Sequence, residues 1–303
     1  MRRLVAALAS FVLFASVHAA QRTKTPASLD LVELSVAVID RDGKPMSGLT
    51  TKDFAVKEDG ADVEVKTFME VQPTTPDDPD HIRSVVLLMD DVAVPASGTQ
   101  AMQSIASAFL RSVTRFDEVS IVRLHSRTDD VFGDRTLAES RILQFQAAAF
   151  PFADANTAPE TLARVADLSR QLEGDDHRRK VIVCVGAPVV CNLDEPASSS
   201  VRPRHWSSWV DAVSASAKAN VAVYAIIPGR TILRGGGLAD LTGGEVFATM
   251  YDVGPAIDRI LQDATHYYVL GYWPAGKSRE IHSITVKVAK RGVKVRVRRR
   301  RGN

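Results

Sequence analysis

The stretch Ser84–Asp91, SVVLLMDD, constrains this chain more than any other, because an uncharged, Val- and Leu-rich run ends abruptly in two adjacent carboxylates. Such a run reads as a strand covered on both faces, as at the centre of a parallel sheet. Ligands of open α/β sheets bind beyond the carboxyl ends of strands, where Asp90 and Asp91 fall. Downstream the period changes: Met102, Ile105, Ala106, Phe109 and Val113 recur at helical spacing. A strand is expected over 118–124, a helix opened by a Thr136/Glu139 capping box and running to Gln146, and a helix over 160–172 with Pro159 at its start. Further strands follow at 181–185, 221–227 and 246–250, separated by helices over 207–219, before Gly243-Gly244 and over 254–263. Strands alternating with helices imply a doubly wound, mostly parallel α/β sheet with helices on both faces.

Both ends of the chain read as β structure instead. Leu31–Ile39, Phe54–Gly60 and Val63–Met69 are separated by turn clusters, and Tyr267–Trp273, Ile281–Ala289 and Val293–Arg298 close the chain. Neither set alone buries enough to offset its chain entropy, so segments 31–72 and 266–303 are expected to pair as one β domain. The α/β region 83–265 would be inserted between them after a Pro- and Asp-rich linker, 73–82. Arg2 and Arg3, the apolar Leu4–Val17 and the small residues around Ala19 make residues 1–19 a secretory signal peptide, with 20–30 a linker. The expected location is therefore periplasmic or extracellular, with no membrane span, since no later stretch approaches about 18 apolar residues. Charges nearly balance (Lys+Arg 38, Asp+Glu 36), so no field directs the chain to nucleic acid. Export permits a Cys184–Cys191 disulfide, while Cys184, inside a strand, equally suits a buried free thiol.

The opening VAVIDRDGKPMSGLTTKDFAVKEDG (36–60), together with VYAI (223–226), LTGGEVF (241–247), YYVLGYW (267–273) and a basic closing strand, carries a resemblance nearly end to end. With the central α/β pattern, the chain resembles a von Willebrand factor A domain and, more narrowly, the related family of exported acidobacterial proteins. The resemblance implies a Rossmann-like sheet and a role in protein–protein contact or adhesion. It also implies a metal site, in which an Asp-x-Ser-x-Ser motif, a threonine and a second aspartate offer the oxygens that a hard divalent cation requires. Here that motif aligns with Asp90-Asp91-Val92-Ala93-Val94, so both serines are valines. The second aspartate aligns with Gly186, and Thr157 is the candidate threonine. The candidate metal residues are thus Asp90, Asp91 and Thr157 at a degenerate site, with Ser97, Thr99 and Asp194 as substitutes. No cofactor is expected; Mg²⁺ or Ca²⁺ belongs to the alternative of a metal-dependent adhesin with a rearranged site.

If recognition is metal-independent, its residues would be Val92, Val94, Ser97, Thr99, Asn156, Val189 and Val190, with the valines as apolar anchors. Arg296, Arg298, Arg299, Arg300 and Arg301 form a basic strand and tail, which either discourages strand addition or meets an anionic surface. Trp206 and Trp209 sit three apart on one helix, one suited to the core and the other to its edge. No G-x-S-x-G, H-E-x-x-H or C-x-x-C occurs, and the seven histidines are scattered, so catalysis is not expected. A secreted hydrolase remains an alternative, and it needs Ser, His and a carboxylate gathered in one pocket.

Overall fold

A computed structural model of the chain describes residues 31–73, 75, 78, 82–125, 134–147, 158–174, 179–186, 205–229, 237–249, 252–274 and 281–302. In chain order, four strands come first: β1 (Val32–Ile39), β2 (Phe54–Glu58), β3 (Ala61–Val63) and β4 (Val65–Val71). The α/β run follows as β5 (Ser84–Met89), α1 (Thr99–Ser112), β6 (Glu118–Arg123), α2 (Arg135–Gln144), α3 (Ala158–Gln171), β7 (Lys180–Val185), α4 (Trp206–Lys218), β8 (Val221–Pro228), α5 (Leu238–Thr242), β9 (Val246–Thr249) and α6 (Gly254–Thr265). Four strands close the chain: β10 (Tyr267–Tyr272), β11 (Ile281–Val288), β12 (Lys294–Arg296) and β13 (Arg300–Gly302).

The fold is mixed α/β, with one five-stranded parallel sheet in the order β6-β5-β7-β8-β9 and two four-stranded antiparallel sheets. Every residue of β5 is buried, and its two faces feed different cores. Val85, Leu87 and Met89 meet Met102, Ile105 and Phe109 of α1, Ile142 of α2 and Ile257 and Ile260 of α6. Val86 and Leu88 meet Leu162 and Val165 of α3, Trp209 and Val213 of α4 and Leu241 of α5. A one-residue slip of β5 would exchange the two sets, so two-sided packing pins its register. The chain leaves β5 toward β6 on one side and returns to β7 on the other. The carboxyl ends of β5 and β7 therefore flank the switch point where such sheets open a crevice.

The antiparallel sheets, β12-β1-β10-β4 and β13-β11-β2-β3, each combine strands from both ends of the chain. Val32 to Val36 run opposite Tyr272 to Tyr268, and Phe54 to Glu58 opposite Val288 to Ile284. Between the sheets lies a third core containing Leu34, Val36, Phe54, Val56, Tyr268, Leu270, Tyr272, Ile284 and Val286. Phe54, Phe68 and Tyr268 form a tilted aromatic trio with centroids 5.2–5.8 Å apart.

Two local expectations are corrected. Helix α2 begins at Arg135 rather than from a Thr136 cap, because the Asp134 carboxylate accepts from Leu137 N at 3.0 Å. The closing Val/Arg strand is broken in two, since the chain passes from the sheet of β12 to that of β13 around Val297–Arg299. At that corner Ile284 N donates to Arg299 O at 2.8 Å and Arg299 N to Leu241 O at 2.9 Å.

Candidate functional site

The carboxyl edge of the parallel sheet is built by extending its ladder one residue beyond β5. Asp90 N donates to Val185 O, and Leu124 N to Met89 O, both at 2.9 Å. This places Asp90 at the switch point, only 6% exposed. Its Oδ1 accepts from Val92 N at 3.0 Å and Ala93 N at 2.8 Å, closing a tight side-chain turn over its own loop. Asp91 is half-buried and accepts from His125 N at 3.0 Å, while His125 Nδ1 lies 3.1 Å from Glu160 Oε1 on the surface. Thr99, at the start of α1, accepts from Ala147 N at 3.0 Å, and Ser97 is exposed. Thr157, Asn156, Val189, Val190, Cys191 and Asp194 lie outside the described residues.

Opposite Asp90 stands Gly186, whose φ of +129° suits glycine alone. A Cβ there would sit 2.6 Å from Asp90 Cβ and 3.1 Å from Val94 Cγ2. The position expected to carry a second carboxylate is thus closed by backbone conformation and packing together. Beside it, Cys184 is a buried free thiol, pushed up to about 12 by burial and further by the Asp90 charge.

A hard divalent cation needs about six oxygens, several of them anionic. The edge offers Asp90, whose Oδ1 already holds two backbone N–H groups, flanked by Val92, Val94 and Gly186. Among the described residues no three His, Cys, Asp or Glu side chains converge on a point where an ion could sit. The donors among the described residues alone fall short of the shell that Mg²⁺ or Ca²⁺ requires.

Two of the expected apolar anchors, Val92 and Val94, are buried. Val92 and Val94 are 7% and 6% exposed and belong to the two cores on either side of the sheet. The loop after β5 tucks one valine over each face of the sheet. The exposed residues of the loop are Ala93, Pro95, Ala96 and Ser97.

Several arginines of the basic tail also find partners within the protein. Arg296 is buried and paired with both Asp263 and Glu245. Arg298 Nη1 donates to Ala217 O at 2.6 Å, and Arg301 Nε to Glu58 Oε1 at 2.7 Å. Arg300 is half-buried, and only Arg299 of the five is exposed. Arg296, Arg298 and Arg301 thus spend hydrogen bonds inside the protein, and Arg299 is the exposed one of the five.

Sequence reasoning missed the cluster that these arginines enter, at the amino edge of the parallel sheet. Asp263, 2% exposed on the apolar side of α6, also accepts from Tyr224 Oη at 3.1 Å. Arg179, 3% exposed, donates to the carbonyls of Asp263 (3.2 Å) and Gly243 (2.7 Å), and its N–H to Tyr267 Oη (3.0 Å). A carboxylate at 263 among Ile260, Leu261 and Ala264 was the available signal, because a buried charge requires a partner.

Among the described residues, a Ser/His/Asp group comes together within the sandwich. His282 Nδ1 lies 2.9 Å from Asp59 Oδ2, and Ser283 Oγ is 3.4 Å from Asp59 Oδ1. The serine addresses the aspartate rather than the imidazole, and the His and Asp side chains are 2% and 3% exposed. A nucleophile–base contact open to substrate is not formed there.

The chain matches no protein-family model, and comparison with curated proteins gives no significant match. No helix among the described residues is long and apolar enough to cross a membrane.

Proposed function

We propose that this is an exported, non-enzymatic binding protein whose α/β layer is of the von Willebrand A type and whose recognition needs no metal. The reading is carried by the edge at Asp90. The expected metal position coincides with the switch point, yet its aspartate is spent on Val92 N and Ala93 N and faces a glycine that leaves no room for a side chain. Supporting it are the motifs at 36–60 and 223–273, the basic and apolar opening of the chain, and a sandwich formed by both chain ends. Contact would then fall to exposed groups on that edge, Ala93, Pro95, Ala96, Ser97 and His125, through shape and hydrogen bonding.

The test is thermal unfolding of the protein after chelator treatment, then with millimolar Mg²⁺, Mn²⁺ or Ca²⁺, for wild type and Asp90→Ala. A cation at 100 times its Kd stabilises the folded state by about 2.7 kcal/mol. We expect no cation-dependent shift in either protein. A shift in wild type that Asp90→Ala removes would replace this reading with the metal-dependent adhesin.

A further inference from the structure

A second recess lies at the other end of the parallel sheet, between its amino edge and the sandwich. It spans about 220 Å³ counting its open mouth and is lined by Ser35 of β1, Arg179, Asn220, Thr242 and Arg298. Its enclosed part is about the size of one water molecule. Two guanidinium groups meet there, and neither forms an ion pair with a carboxylate among the described residues. Arg298 holds only the Ala217 carbonyl through Nη1, and its Nε is buried with no hydrogen-bond partner. Arg179 holds only the carbonyls of Asp263 and Gly243 through its side chain.

Among the described residues, the nearby acids are committed elsewhere. Asp263 takes Arg296 and Tyr224 Oη, Glu245 takes Arg296 and Lys294, and Glu58 takes Arg301 and Tyr272 Oη. Glu33 acts on Arg298 at longer range. Burial, reinforced by the positive charges of Arg301 and Arg179, pushes the Arg298 guanidinium down to about 10, so it stays charged at neutral pH against an opposing environment. Two guanidinium groups lining one polar recess, with Arg298 Nε buried and without a hydrogen-bond partner among the described residues, form the arrangement that a small anion completes.

We propose that the recess between Arg179 and Arg298 binds a small anion, either a halide or one oxygen of an oxyanion, and that the anion joins the α/β layer to the sandwich. This is independent of the reading of the Asp90 edge.

The experiment is thermal unfolding of the purified protein in a buffer whose only anion is a bulky organic sulfonate, titrated separately with chloride and with inorganic phosphate. We expect a rise in Tm that saturates with one of the two, and at least about tenfold weaker apparent affinity in Arg298→Met. Saturation with chloride assigns a halide site, and saturation with phosphate an oxyanion site. Direct titration of the wild type, by ³⁵Cl line broadening and by calorimetry with phosphate, supplies the same readout should Arg298→Met not fold. An equal, non-saturating rise in both proteins would be a general salt effect, and together with a flat direct titration it would overturn the proposal.

Discussion

The two ends of the parallel sheet solve the same problem in opposite ways. At the carboxyl edge one buried carboxylate, Asp90, is satisfied within three residues of itself and has a glycine for its neighbour. At the amino edge Arg179, Asp263, Arg296 and Arg298 come from four elements or their junctions, and satisfaction is collective. At Asp90 and Gly186, the edge where α/β folds usually hold ligands is thus closed by its own residues. The edge that usually supports the fold holds the charge and an incompletely satisfied recess. A local solution tolerates substitution, whereas a collective one fails when any member is removed.

The largest effect should come from breaking the amino edge. Asp263→Ala leaves Arg296 short of a partner and removes the acceptor of Tyr224 Oη, so urea unfolding should show a loss of about 3–5 kcal/mol. Replacing both partners, Asp263→Leu with Arg296→Met, should recover much of that loss, because the uncompensated charge goes with its partner. A loss under 1 kcal/mol for Asp263→Ala would mean that the two edges do not differ.

Gly186→Asp tests the other edge. It restores the carboxylate that the family resemblance leads one to expect, yet it forces a side chain into φ +129° and against Asp90 Cβ at 2.6 Å. Strain and overpacking should cost about 2–4 kcal/mol with no gain in cation response. A variant that keeps its stability and gains Mg²⁺-dependent protection would show the edge to be open rather than closed.

The contrast also explains what could be read in advance. The β5 run and the Met102, Ile105, Ala106, Phe109 stripe of α1 were legible because a two-sided apolar strand and a one-sided apolar helix have few other places to go. The order of the five parallel strands was not, because no residue pattern encodes which neighbour a buried strand takes. The internal partners of the tail arginines were hidden for a similar reason. The partners of Arg296 and Arg301 lie 33, 51 and 243 residues away, so alternation with valine looked like an exposed face. The burial of Val92 and Val94 was likewise not legible, since the Asp90 turn that folds them inward is visible only in three dimensions.

The amino edge should also be the acid-sensitive one. Asp117, ahead of β6, is opposed by burial but held by the Arg83 guanidinium and the backbone N–H groups of Thr114 and Arg83, which bring its carboxyl below the ordinary 3.8. Arg83 reaches on to Thr265 Oγ1 at the end of α6, 3.0 Å away. A lowered value means that the ionised form stabilises the fold. That contribution is complete above the unfolded value and is lost as pH falls through the folded one. Asp117→Asn should therefore lower stability by about 1–3 kcal/mol at pH 7 and flatten the acid limb below about pH 4. An acid limb as steep as that of wild type would assign it to other carboxylates.

Asp90 gives the smallest effect and the sharpest distinction. If its work is to accept from Val92 N and Ala93 N, a neutral carbonyl oxygen does it nearly as well. Asp90→Asn should then cost less than about 1 kcal/mol, and Asp90→Ala about 1–2 kcal/mol, by chemical unfolding at neutral pH. A carboxylate kept for its charge would show the reverse pattern, with Asn as harmful as Ala, because the amide keeps the acceptor and loses the anion. Equal losses in the two variants would return Asp90 to the role of a charged ligand-holder and erase the difference between the two edges.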